Sequence, residues 1–327
     1  MSGVTKIEWA DKVWNPVTGC TKVSEGCRHC YAETMAKRFW GERKFTDVQC
    51  HRERLGIPFK WKKPSKIFVN SMSDLFHPDV PFEFIDLVFL VMARAHRHKF
   101  LILTKRPERM RDYIKGIEIE TRRNPTNTND RWEGNDFKNL GCVLVNVWFG
   151  VSVEDQRTAD ERIPILLDID CALRFVSIEP MIERVDLRSF TTPAQCKLHD
   201  DHIPAYERIG GGFWHCPECH NSTEKHRPLD WVICGGESGA GARPMHPDWV
   251  LSLQQQCYQS DTPLFFKQWG AWHPAKYPWM LEDGEKEPAG GHTFEDGTQM
   301  VRGGKVDSIN DMHEWKHFPE LIPCEPF

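Results

Sequence analysis

No apolar run in these 327 residues approaches the roughly 18–20 needed to span a bilayer. The longest candidate, Phe84 to Ala95, is broken by Asp86 and Arg94. Residues 1–9 lack the apolar core of a secretory signal, so the expectation is a cytoplasmic protein without a membrane role. There is no internal repeat and no extended low-complexity tract, which sets aside repeat architectures. A strong charge of one sign is missing too. The formal net charge is -5, unlike that of a general DNA binder. Charge is nevertheless uneven. Lys12 to Lys66 holds 13 basic and 5 acidic residues, leaving -13 for the remainder. This basic flank is interleaved with Phe39, Trp40, Phe45, Phe59 and Trp61. It is either a phosphate- or nucleic-acid-receiving surface or a solvated face.

Cysteine is plentiful, at 12 residues. In a reducing cytosol that argues against a disulfide scaffold and for metal ligation or catalysis. Six of the twelve fall in two tight groups. Cys142, Cys171 and Cys257 lie in or beside apolar runs and read as core.

Short apolar runs rich in β-branched and aromatic residues end abruptly in polar stretches. They are Ile67–Val69, Phe100–Leu103, Val143–Val151, Arg174–Ile178, Trp231–Ile233 and Leu264–Phe266, with a first strand expected near Ile7–Trp9. Continuous runs of this kind suit parallel strands buried on both faces. Helical patterns alternate with them at Tyr31–Phe39, Pro81–Arg97, Pro107–Ile114, Asp155–Leu167 and Pro247–Gln259. Six or seven βα units predict an α/β chain with a partial or closed parallel (β/α) barrel over 1–272. An insertion over 190–228 interrupts the rhythm, and an irregular extension over 273–327 follows.

Barrel chemistry gathers at the C-terminal ends of strands. That rule selects Asn70–Asp74, Thr104–Arg106, Ser152–Glu154, Glu179–Met181, Gly235–Ser238 and Lys267–Trp269, a ring of polar groups around one mouth. The first cysteine group, Cys20, Cys27 and Cys30, falls in the loop between the first strand and the first helix. Three neighbouring thiolates can each bind one iron of a four-iron cluster and leave the fourth iron open. A zinc site completed by His29 or a distant ligand, and free thiols, are the alternatives.

The run Lys6–Trp9, Trp14-Asn15-Pro16-Val17-Thr18-Gly19-Cys20 and Cys27-Arg28-His29-Cys30-Tyr31-Ala32 resembles the phage Gp37/Gp68-like family, a domain family of unknown function with a three-cysteine motif. The likeness continues through Val69–Phe76, Leu103–Pro107, Gly150–Glu154, Ser177–Pro180, Gly235–Gly239 and Phe266–Gly270. That family is in turn similar to radical S-adenosylmethionine enzymes, whose usual motif has three residues between the first two cysteines where this chain has six. The resemblance implies a 4Fe-4S cluster on Cys20, Cys27 and Cys30, S-adenosyl-L-methionine on its open iron, and a 5′-deoxyadenosyl radical that abstracts hydrogen from substrate. It also implies an electron donor such as flavodoxin or ferredoxin. Cofactor contacts are then expected from Ser71, Ser73 and Asp74, from Lys105, Glu154 and Glu179, and from Gly235, Gly236 and Glu237. The substrate is open, with a nucleotide or nucleic acid favoured by the basic flank.

The second group, Cys196-Lys197-Leu198-His199 and Cys216-Pro217-Glu218-Cys219, forms two knuckles with two residues between ligands. Paired knuckles of this spacing predict a structural Zn²⁺ site, with His202, His215, His220 and His226 as substitutes for His199. Two competing readings stand beside the radical enzyme. One is a non-enzymatic nucleic-acid-binding or adaptor protein with two structural zinc sites. The other is a metal-dependent hydrolase on the same barrel, disfavoured by the scarcity of carboxylates and histidines at the strand ends beyond Asp74, His77, Glu154 and Glu179.

Overall fold

The computed structural model describes residues 5, 7–123, 144–191, 207–209, 213–215, 228–274, 291–302 and 317. Seven strands form one sheet: β1 (Lys12–Trp14), β2 (Lys66–Val69), β3 (Lys99–Thr104), β4 (Val147–Val153), β5 (Arg174–Ile178), β6 (Trp231–Gly235) and β7 (Leu264–Gln268). They lie side by side in chain order and every pairing is parallel. The expected parallel (β/α) architecture is therefore what the chain adopts, in its partial form: β1 and β7 are edges of an open sheet.

The helices of more than one turn are α1 (Tyr31–Phe39), α2 (Phe82–Arg94), α3 (Pro107–Arg123), α4 (Gln156–Leu167) and α5 (Pro247–Gln259). Pro81 caps α2, which buries Phe84, Ile85, Val88, Phe89 and Met92. The α4 start is a reciprocal cap in which the Asp155 carboxylate accepts from the Thr158 amide at 2.7 Å. No described helix is long and apolar enough to cross a membrane.

Alternation along the strands sorts the core into two sets. Ile67, Val69, Phe100, Ile102, Phe149, Val151, Val176, Ile178, Val232 and Phe266 pack with the helices. Phe68, Leu101, Trp148, Phe175, Trp231, Ile233 and Phe265 pack together on the opposite, inward face. Gly150 is needed there, because a Cβ would lie 2.5 Å from the Phe175 ring.

The first strand is displaced from its expected position. Glu8 and Trp9 form a turn, and β1 begins at Lys12. Trp9 is instead a plug, edge-on to Phe68 at 4.6 Å and to Trp231 at 6.5 Å. Burial of its indole outweighs the weak strand pattern around it.

The extension expected to be irregular contains a three-stranded antiparallel sheet, Trp272–Pro274, Gln299–Arg302 and Gly291–Thr293. Within the 190–228 insertion the described residues form one antiparallel pair, Glu207–Ile209 with Phe213–His215. Cys171 and Cys257 are buried, as core residues should be.

Trp231 is fully buried and meets Trp9, Trp148 and Phe265 at nearly right angles. Trp231→Ala should cost about 3–5 kcal/mol of unfolding free energy, read from urea denaturation followed by circular dichroism.

Candidate active site at the strand ends

Counting inward positions up each strand leads from the aromatic floor to charge. Two residues beyond Leu103 comes Lys105; beyond Gly150 and Ser152 comes Glu154; beyond Ser177 comes Glu179; beyond Phe265 comes Lys267. These four make two ion pairs, Lys105 with Glu154 and Lys267 with Glu179. Glu154 has no solvent exposure and is also held by Arg162 from α4 at 3.3 Å. The same Arg162 donates to the Ser152 carbonyl at 2.6 Å.

The cysteine loop lies over this charged layer. Gly19 donates to the Met72 carbonyl at 3.1 Å and Cys20 donates to the Phe45 carbonyl at 2.9 Å. Residues Glu25–Cys27 form a single 3₁₀ turn, and Cys30 precedes α1. A Cβ on Gly26 would lie 2.6 Å from the Glu154 carboxyl carbon, so only glycine lets the turn rest there.

Cys20, Cys27 and Cys30 are all partly buried thiols without disulfides. Burial, then the Asp74 carboxylate, push Cys20 up to about 11, against an Arg106 Nη1 that donates to its sulfur at 3.6 Å. Burial also raises Cys30. Cys27 moves the other way. Burial opposes its ionisation, but the Lys105 ammonium and hydrogen bonds at Val23 and Ser24 outweigh it. Lys105 itself is pushed down to about 8 by burial, against the pull of Cys27 and Cys30. The charge of Cys27 acts on both other thiols, so Cys27 lies within electrostatic reach of each.

The other expected contacts are placed as follows. Ser71 Oγ donates to Asn15 Oδ1 at 3.3 Å, and Ser73 Oγ to the Val17 carbonyl at 2.9 Å; both brace the cysteine loop. Asp74 accepts from Phe76 N at 2.9 Å, Thr104 Oγ1 at 2.7 Å, Lys105 N at 3.1 Å and Arg106 Nη1 at 2.9 Å. Gly235 lies beside Glu179, where a Cβ would be 3.6 Å from its carboxyl carbon. Gly236 presses on the backbone of Trp269, 2.6 Å from a would-be Cβ to its carbonyl carbon. The knuckle residues Cys196, His199, Cys216 and Cys219 lie outside the described residues.

A residue that sequence reasoning missed ties these pieces together. Arg243 forks both oxygens of buried Glu237, at 2.9 and 2.8 Å, and reaches the Glu25 carbonyl at 3.0 Å. Gly241 packs on His29, with a would-be Cβ 2.6 Å from its ring. The loop after β6 thus clasps the turn that carries Cys27. Despite burial, the Arg243 hydrogen bonds hold Glu237 below the usual carboxylate range. Glu25 and Arg243 are 218 positions apart, and no spacing signal links them.

Two sets of outcomes, one in thiol reactivity and one in stability, follow from this geometry. In metal-free protein, iodoacetamide should modify Cys27 at least about tenfold faster than Cys20, because thiolate fraction controls the rate. The Cys27 rate should fall as pH drops through its lowered pKa, and Lys105→Met should slow it; peptide mass spectrometry reads all three. Gly26→Ala should destabilise the fold by about 1–3 kcal/mol through overpacking on Glu154. Gly56→Ala, where a Cβ meets nothing within 4 Å, should change stability by less than about 0.5 kcal/mol.

Comparison with solved structures finds similarity to spore photoproduct lyase. Two variant structures of that protein align at 10% identity over 97% of this chain and 74% of theirs, with TM-scores of 0.42 and 0.41. The structure of spore photoproduct lyase complexed with dinucleoside spore photoproduct aligns at 12% identity and TM-score 0.33. That match covers 55% of this chain and spans about half of the other, 48%. No curated protein matches. A family model described as protein of unknown function (DUF5131) matches residues 4–319, and the chain belongs to that family.

Proposed function

We propose that this chain is an iron–sulfur enzyme of radical S-adenosylmethionine type, with Cys20, Cys27 and Cys30 as the cluster ligands. The observation that carries the reading is three half-buried soft thiols carried by one loop over the open end of a parallel (β/α) sheet. The donor set fits a 4Fe-4S cluster. Burial and mutual repulsion oppose ionisation of Cys20 and Cys30, and an iron centre relieves that penalty. Lys105 and Arg106 supply positive charge beside the anionic sulfurs.

When bound, the cluster would supply the electron for reductive cleavage of S-adenosyl-L-methionine to a 5′-deoxyadenosyl radical. A small redox protein such as flavodoxin or ferredoxin would provide that electron. The chain's own residues hold and shield. Ser71, Ser73 and Asp74 border the cysteine loop, and Lys105, Glu154 and Glu179 form the charged layer beneath it. Gly235, Gly236 and Glu237 bring backbone close from the opposite side. The reaction class is hydrogen abstraction from a nucleotide or nucleic-acid substrate, and the knuckle of Cys196, His199, Cys216 and Cys219 is a structural zinc site.

Two alternatives lose support from specific contacts. A zinc ion completed by His29 competes with the packing of that ring on Gly241, beside Glu237. A metal-dependent hydrolase needs free carboxylates, yet Asp74, Glu154 and Glu179 are each engaged by a cation.

Protein reconstituted without oxygen from iron and sulfide should be brown and hold about four irons per chain. Under dithionite it should release 5′-deoxyadenosine from S-adenosyl-L-methionine, and Cys27→Ala should lose both properties. Zinc in place of iron at the three thiols, measured by elemental analysis of anaerobic material, would overturn the proposal.

A further inference from the structure

The exposed cations between Arg38 and Lys63 are not balanced where they stand. Nearby Lys37, Arg43 and Arg54 have partners in Glu33, Asp47 and Glu53. Arg38, Lys44, Arg52, Lys60, Lys62 and Lys63 are exposed, and none makes an ion pair among the described residues. Glu42 is the one exposed acid in the stretch without such a pair among the described residues. On a chain of net charge -5, six such cations against one acid make a local field that repels itself and attracts a polyanion.

Aromatic faces accompany the cations. Tyr31, Phe39 and Phe59 are 64%, 61% and 43% exposed. The Arg38 guanidinium lies 5.3 Å from the Phe39 ring centre. The other aromatics of the basic flank turn inward: Trp40 meets Phe45 at 5.9 Å, and Trp61 packs edge-on to His98 at 6.2 Å. Three outward rings among unpaired cations are the pairing that unstacked bases and phosphates recognise.

Hydrogen bonds attach the upper part of this strip to the cysteine loop, while its lower part, around Phe59, lies at the other end of the sheet, where the Pro58 carbonyl contacts His98 Nε2 at 3.2 Å just before β3. Arg43 Nη2 donates to the Thr18 carbonyl at 3.1 Å. Lys44 adjoins Phe45, whose carbonyl accepts from Cys20. Arg52 follows His51, which donates to the Pro16 carbonyl at 2.7 Å and bonds Thr18 Oγ1 at 2.7 Å. Tyr31 directly follows Cys30.

We propose that this strip binds single-stranded nucleic acid, with phosphates on the cations and bases stacked on Phe39, Phe59 and Tyr31. The strand is thereby led to the cysteine loop. This deepens the substrate part of the function proposed above, but binding needs no cluster, so the two proposals fail separately.

The test is fluorescence anisotropy of the full chain with a labelled mixed-sequence DNA of about 20 nucleotides, its RNA counterpart and the matching duplex. The single strands should bind more tightly than the duplex. Reversing Arg38→Glu, Lys44→Glu and Arg52→Glu together should weaken single-strand binding at least about tenfold. It should also shrink the log Kd versus log salt slope by about 2, from about 0.7 per phosphate contact. Phe39→Ala with Phe59→Ala should weaken binding about tenfold and leave the salt slope unchanged. Arg157→Glu, on the outer face of α4, should leave binding as it is. Equal or tighter binding of the duplex would overturn the proposal. So would unchanged affinity in the triple reversal, or an equal loss with Arg157→Glu; circular dichroism confirms that each variant is folded.

Discussion

Everything at the open end of the sheet depends on one buried carboxylate. Glu154 is fully enclosed, and an unpaired ionised carboxyl there would cost several kcal/mol in desolvation. Lys105 and Arg162 offset that cost from two sides. The two cations exceed the one anion, so the cluster carries a surplus positive charge. Cys27 is the group positioned to feel it, and both cations do respond to Cys27. Lys105, held in place by Glu154, therefore favours the thiolate of Cys27 over those of the other two cysteines. Gly26 completes the constraint, because the turn can approach Glu154 only without a side chain.

The polar ring at the strand ends was legible in the sequence because the apolar runs end abruptly there; strand alternation then places four of its members in one charged layer. Once a run such as Phe265 and Phe266 is placed in a parallel sheet, Lys267 must share a face with Phe265. Glu154, Glu179 and Lys105 follow from the same period of two. The cysteine loop was legible from spacing, and its position after the first strand holds even though that strand begins at Lys12. The misplacement of β1 has a local cause. Trp9 and Trp14 are both buried aromatics five residues apart, and periodicity alone does not say which one belongs to a strand and which plugs the floor.

What stayed hidden was every contact made by long side chains between remote loops. Arg243 to Glu25 and Arg106 to Thr21 join elements whose proximity exists only after the sheet has formed. Ser71 and Ser73, expected as ligand contacts, have hydroxyls that already donate to the loop after β1, so at the mouth they brace that loop. Gly236 is similar. Its lack of a side chain is required by the Trp269 backbone, and Gly270, at φ +87°, answers it from the other loop.

The six-residue spacer between Cys20 and Cys27 now has a physical account. A longer loop costs entropy to order, roughly 1–2 kcal/mol per residue fixed, and a floppy spacer would not hold Cys27 against the other thiols. Here the far end of the spacer is anchored at Glu25 by Arg243, with Gly26 lying close against the Glu154 side chain. Its near end is anchored at Thr21, whose carbonyl and hydroxyl accept from Arg106 at 3.0 Å. Arg243 can do this because Glu237, itself buried, fixes its guanidinium. Trp272 and Arg302 bond the carbonyls of Ala242 and Ala240 and hold the same loop from outside. The C-terminal sheet thus acts on the cysteine loop through a chain of contacts, Trp272 to Ala242, Arg243 to Glu25. Loss of that sheet would loosen the turn bearing Cys27 without touching a thiol.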